Sequence, residues 1–129
     1  MISFEAFRQT DGTPIYLQII RYIQQGLAAG TIRDGDELPS RRVVSALLAV
    51  NPNTVQKAFR LLEDEGLVVS RAGAKSYAQA SPQQIAALRR VLLETEMQAM
   101  VDAAKRIGLT REEAHRLLDT LYDKEGTDA

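Results

Sequence analysis

The sequence predicts a mainly α-helical chain with one small β-hairpin, divided into an N-terminal domain over residues 1–80 and a helical tail over residues 81–129. Three observations carry this reading. Apolar residues recur at helical spacing in five stretches. One stretch, Leu67 to Ala78, instead holds two short runs around a glycine-containing turn, the pattern of a hairpin. After Ser81-Pro82, apolar residues spread around much of the helix circumference, unlike those of a surface helix that covers its own core.

Composition narrows the function before any motif does. With 45% hydrophobic and 26% charged residues among 129, the chain has the balance of a globular protein. No apolar run approaches the ~20 residues of a membrane span. The start MISFEAFRQT lacks the order of a signal peptide, so the expected location is cytoplasmic. There are no cysteines, which excludes a disulfide frame and a thiolate metal site. The single histidine, His115, lies in a charged helix near Glu112 and Asp119, where solvation or pairing is its ordinary fate. Neither enzyme, cofactor nor metal is expected.

The elements follow in order. Phe4 and Phe7 indicate a short helical turn in a partly ordered arm, which Thr10-Asp11-Gly12-Thr13 ends. Thr13 as N-cap and Pro14 at the first helical position open a helix with Ile15, Ile19, Tyr22, Ile23 and Leu27 at helical spacing, stopped by Gly30. Arg33 to Asp36 form a tight turn, and Glu37-Leu38-Pro39 suit a very short strand against the hairpin. Ser40 caps a second, short helix carrying Val43, Val44, Leu47 and Leu48. After Ala49-Val50, Asn51 and Pro52 start a third helix with Val55, Ala58, Phe59 and Leu62 inward, ended by Gly66.

Two helices joined by a tight turn, the second opening with polar residues, can present a helix N-terminus first to the DNA major groove. The outer face of the third helix holds Asn53, Thr54, Gln56, Lys57 and Arg60. Asn and Gln can pair bidentately with adenine, Thr can meet a thymine methyl or a phosphate, and the cations supply charge. The net charge of −1 hides an uneven distribution. Ser40 to Leu62 holds four basic residues, Arg41, Arg42, Lys57 and Arg60, and no acidic one, whereas Ser81 to Ala129 holds seven basic and nine acidic. The strands Leu67–Arg71 and Ser76–Ala78 around Ala72-Gly73-Ala74-Lys75 complete a winged helix-turn-helix, with Arg71 and Lys75 placed to reach a flanking phosphate or the minor groove. A polar exterior alone would fit any amphipathic helix, and the same fold can serve protein or RNA contacts.

From Tyr16 to about Tyr77 the chain resembles the GntR family of bacterial regulators. The matching residues are Gly30-x-Ile32-x-x-Gly35-x-x-Leu38-Pro39-Ser40-x-Arg42, Asn51-Pro52-Asn53-Thr54-Val55-x-Lys57-Ala58, Leu62-x-x-x-Gly66-Leu67-Val68 and Arg71-x-Gly73. Asn-Pro-Asn-Thr-Val with a short helical tail is similar to the YtrA-like subfamily. The resemblance implies a dimeric repressor of a neighbouring operon, commonly one encoding an ABC transporter. It implies phosphate contacts at Ser40 and Arg42 and DNA-facing Asn53, Thr54 and Gln56. With the residues read from pattern, the expected DNA-binding set is Ser40, Arg41, Arg42, Asn51, Asn53, Thr54, Gln56, Lys57, Arg60, Arg71, Gly73 and Lys75. Pro52 stands where many relatives carry a guanine-reading arginine, so the sequence read must differ. Lys75 replaces a frequent second glycine of the wing.

In the tail, Ile85, Leu88, Val91, Leu92, Leu93, Met97, Met100, Val101 and Ile107 lie on one helix, and Gly108 breaks it. Thr110-Arg111-Glu112-Glu113 is a capping box for a last helix with Ala114, Leu117, Leu118, Leu121 and Tyr122 on one face. Two helices this apolar cannot cover each other, so a second copy is expected to complete the core through Ile85, Leu88, Leu92, Met100, Ile107, Leu117, Leu118 and Leu121. A symmetric dimer reads a palindromic operator in double-stranded DNA. The alternative is that the tail packs on its own winged helix. An unidentified small-molecule effector would have to bind at the dimer interface or between tail and winged helix, because the tail is too short to enclose a pocket within one subunit.

Overall fold

A computed structural model describes residues 1–71, 73 and 75–128, with side chains as far as residue 124. Among the described residues the order is α1 (Ile15–Ala29), α2 (Arg41–Leu48), α3 (Pro52–Asp64), β1 (Val68–Arg71), β2 (Lys75–Ala78), α4 (Pro82–Ile107) and α5 (Arg111–Asp128). They form two compact units, Met1–Arg90 and Val91–Ala129.

The first unit is built on i, i+4 apolar rows. Ile19, Ile23 and Leu27 of α1 are fully buried with Val55, Phe59 and Leu62 of α3, and Val44 of α2 joins them. The caps act where local chemistry places them. The Ser40 hydroxyl accepts from the Val43 N–H at 3.2 Å, and the Asn51 side-chain oxygen Oδ1 accepts from the Asn53 N–H at 2.8 Å. Gly30 ends α1 at φ 84°, in the left-handed region that a residue without Cβ enters freely. The start of α1 differs from expectation. Pro14 with ψ 139° is still extended, so it occupies the N-cap position itself, and Thr13 caps nothing. Val43 and Leu47 also depart, being 46% and 64% exposed, because α2 has only two turns and turns just the Val44 row inward.

The arm is more tightly packed than its local pattern predicts. Ile2, Phe4 and Phe7 are buried. The Phe4 ring stacks on Tyr22 at 5.1 Å between centres, and Phe7 meets Tyr22 edge-on at 5.5 Å. The Gln18 side chain accepts from the Thr10 N–H and donates to the Thr13 carbonyl, at 2.9 and 2.7 Å, closing the chain reversal before α1. These partners are 5 to 18 residues apart in sequence, and the ring contacts lie beyond the reach of a local pattern.

The wing is a tight antiparallel pair running from Val68↔Ala78 to Arg71↔Lys75. Lys75 thus begins the returning strand instead of belonging to the turn. Ala72 and Ala74, expected at the tip, lie outside the described residues. The short segment before α2 does join the hairpin: Glu37 bridges to Tyr77, and the Leu38 N–H donates to the Ser76 carbonyl at 2.9 Å.

Ser81 and Gln84 form a capping box at the head of α4, with bonds of 2.8 and 3.1 Å. Arg89 donates to the free carbonyl of Ala28 at 2.7 Å, near the end of α1. Ile85 and Leu88, expected at a dimer interface, are half-buried against the winged-helix core of their own chain. The opening turns of α4 fall within the first unit, which gives these two side chains apolar partners there.

In the second unit Thr110 and Glu113 close the expected capping box, with bonds of 3.0 and 3.2 Å. The bond from the Thr110 N–H, and then that from its hydroxyl, holds the Glu113 carboxyl below its ordinary pKa. Large apolar side chains remain exposed: Val91, Leu93, Met97, Met100, Val101, Ile107, Leu117, Leu121 and Tyr122. Leu92 and Leu118 are half-buried. A groove of about 640 Å³ is lined by Met97, Met100, Val101, Leu109 and Leu118, with Lys105, Arg111 and His115 also on it.

Candidate nucleic-acid interface

The interface begins at the turn between α2 and α3. Ala49 ends α2 at φ 55° and ψ 46°, the only described residue other than glycine at positive φ, and its N–H returns to the Ala46 carbonyl. Val50 is held by the Ser45 hydroxyl, which donates to its carbonyl at 2.6 Å. Asn51 then caps α3, so its side-chain oxygen is already engaged with the helix. The expected DNA contact at Asn51 is thereby a structural cap in the free chain. Pro52 occupies the first helical position, where no N–H is needed.

Because Val55, Ala58, Phe59 and Leu62 of α3 face the core, the intervening positions must face outward. Asn53, Gln56, Lys57 and Arg60 are exposed, and Thr54 is half-buried. Ser40 and Arg42 are exposed at the start of α2. On the wing, Arg71, Gly73 and Lys75 are exposed, and Gly73 has φ 83°. These groups offer amide donors and acceptors with cations beside them, the set that pairs with base edges and phosphates.

Rings order some of these cations. The Lys57 ammonium sits over the Tyr16 ring at 4.0 Å, and the Arg71 guanidinium over Tyr77 at 4.8 Å. Neither ring was readable as part of the site, since Tyr16 comes from α1 and Tyr77 from the opposite strand. Arg41 has partners of its own. Its guanidinium lies over Phe59 at 5.2 Å and pairs with Glu63 at 3.1 Å, its side chain being 29% exposed. In the free chain this cation, expected to contact DNA, is thus engaged by Glu63 and Phe59. Glu63 is 22 residues away along the chain, so no local spacing could reveal the pair.

Among the described residues no group of three or more His, Cys, Asp or Glu side chains could hold a metal ion, and no helix is long and apolar enough to cross a membrane.

Comparison with known proteins agrees with this geometry. Residues 15–77 match the model of bacterial regulatory proteins of the gntR family. The HTH-type transcriptional repressor YtrA of Bacillus subtilis is 30% identical over 104 residues, covering 80% of this chain and 80% of that protein. The uncharacterized HTH-type regulator YhcF of the same organism is 34% identical, covering 78% and 83%. A GntR family transcriptional regulator from Listeria monocytogenes superposes with a TM-score of 0.78 at 27% identity, over 87% of this chain and 98% of that one. With a two-stranded wing behind a capped helix-turn-helix, and with relatives that are transcription regulators and not enzymes, the chain belongs to the GntR family of DNA-binding regulators.

Proposed function

We propose that two copies of this chain bind a palindromic operator and repress a neighbouring operon, one encoding an ABC transporter. The observation that carries the dimer is the row of apolar side chains left open in the second unit, Val91 to Tyr122. Leaving so many large apolar groups in water costs the hydrophobic energy that a second copy recovers, at about 25 cal/mol per Å² of apolar surface covered. Residues 1–80 act as the DNA-binding part and 81–129 as the dimerisation part. Leu92, Met100, Ile107, Leu117, Leu118 and Leu121 form the contact, while Ile85 and Leu88 anchor α4 on the winged helix.

In each copy the N-terminus of α3 enters the major groove. Asn53 and Gln56 read adenines, Thr54 meets a thymine methyl or phosphate, and Ser40, Arg42, Lys57 and Arg60 hold the backbone. Arg71, Gly73 and Lys75 bring the wing to the flanking groove. Repression follows from occupying DNA that polymerase needs, and the similarity to a protein named as a repressor supports that sign over activation. The protein acts in the cytoplasm. A small-molecule effector would bind at the interface of the assembled dimer.

Selection from a random-sequence duplex pool tests the reading. The expected product is an inverted repeat with half-sites about one helical turn or a multiple apart. A unique, asymmetric site bound by one copy would overturn it. Deleting the gene and measuring neighbouring transcripts tests the repressor and the transporter operon, which are expected to rise.

A further inference from the structure

We propose that Glu63 is a positioning residue for DNA recognition: one carboxylate oxygen clasps α2, α3 and the wing together and withdraws Arg41 from the DNA backbone. The proposal rests on DNA binding, a property of the family, and not on the dimer or repressor reading.

The geometry is specific. Glu63, on the last full turn of α3, accepts at Oε1 from the Arg41 guanidinium at 3.1 Å and from the Ser70 hydroxyl at 2.9 Å. Arg41 is the first residue of α2, and Ser70 lies in β1 opposite Ser76. The three DNA-facing elements therefore converge on one atom. Arg41 is further fixed by the Phe59 ring, and its Nε is buried with no hydrogen-bond partner.

The charge pattern gains a different meaning. Of the four cations in the acid-free stretch from Ser40 to Leu62, Arg41 is neutralised by the first acidic residue after it. Arg42, Lys57 and Arg60 are left to meet DNA, and all three are exposed. The angle between wing and recognition helix decides whether both reach the same duplex, and β1 follows α3 after only Glu65, Gly66 and Leu67. A side-chain clasp across that short link fixes the angle.

The test compares salt dependence on a mixed-sequence duplex with affinity for the duplex the chain selects from a random pool. On the mixed sequence, Arg42→Gln is expected to lower the salt slope by about one unit, Arg41→Gln to leave it at the wild-type value, and Glu63→Gln to raise it by up to about one unit by releasing the Arg41 charge. Glu63→Ala and Ser70→Ala are each expected to lower the ratio of selected to mixed-sequence affinity, about tenfold for Glu63→Ala, and their double variant to fall no further than Glu63→Ala alone. A role confined to stability would lower the melting temperature and leave that ratio intact. Ser70→Ala, at an exposed position, covers the case in which Glu63→Ala does not fold. A drop of about one slope unit for Arg41→Gln would overturn the proposal, as would folded Glu63→Ala and Ser70→Ala with the wild-type ratio.

Discussion

The Lys57 ammonium stands 4.0 Å from the centre of the Tyr16 ring, so α1 holds a cation of the recognition helix in place. If Lys57 also meets phosphate, as proposed, one substitution removes both contacts and two measurements separate them. Lys57→Gln is expected to lower the salt slope of DNA binding by about one unit. It is also expected to lower stability by about 0.5–1 kcal/mol, the usual size of an exposed cation–π contact. Titration of duplex binding against salt and urea unfolding measure the two effects; an unchanged slope means that Lys57 does not meet phosphate.

Gly26 is required by contact and not by backbone freedom. A Cβ there would lie 2.6 Å from Cγ1 of Ile32 and 3.2 Å from its Cβ, and the Ile32 N–H bonds to the Gly26 carbonyl at 3.0 Å. Gly26→Ala gains about 1 kcal/mol of helix propensity. Overpacking costs about 1–3 kcal/mol, so a net loss of up to about 2 kcal/mol is expected in chemical denaturation. A stabilised variant would show that the loop holding Ile32 yields freely.

Ala49 pays the opposite kind of cost. At φ 55° its Cβ crowds the backbone, by roughly 1–2 kcal/mol relative to glycine. Ala49→Gly removes this strain but adds freedom to the unfolded chain, about 0.4–1 kcal/mol. The melting temperature is expected to rise by a few degrees, corresponding to up to about 1.6 kcal/mol. Ala49→Val is expected to lower it, since a β-branched residue tolerates this region worse than alanine.

Glu113 is expected to make the cap of α5 sensitive to acid. Its folded pKa is depressed by the bonds from Thr110, so its stabilising contribution is complete above the ordinary glutamate value of 4.5 and is lost as pH falls through the lower folded value. Circular dichroism at falling pH is expected to show a loss of α5 helicity that Glu113→Gln, which keeps a hydrogen-bonding oxygen without titrating, does not share. Equal acid profiles for the two would assign the transition to other carboxyl groups.

Leu117 and Leu121 are each 50% exposed, four residues apart on α5. If a second copy covers them, Leu117→Glu buries a charge at that contact and is expected to raise the dimer dissociation constant at least tenfold, about 1.4 kcal/mol or more. Sedimentation at graded concentration measures this. Affinity for the selected duplex should fall with it, while mixed-sequence binding per copy is retained.

What the sequence determined by itself is the local punctuation and the facing of long rows. Ser40, Asn51, Ser81 and Thr110 cap helices because their side chains meet N–H groups two or three residues ahead, and Pro52 and Pro82 begin helices because they lack an N–H to leave unpaired. The outward set Asn53, Gln56, Lys57 and Arg60 follows from the buried row it alternates with. Only the tertiary structure decided that Phe4 and Phe7 pack on Tyr22, that Arg41 pairs with Glu63, and that Ile85 and Leu88 pack on their own winged helix. The reason is physical: a cap is satisfied within one turn of its own helix, whereas burial and ion pairing depend on which distant surface the folded chain brings near, and equal periodicities serve either partner.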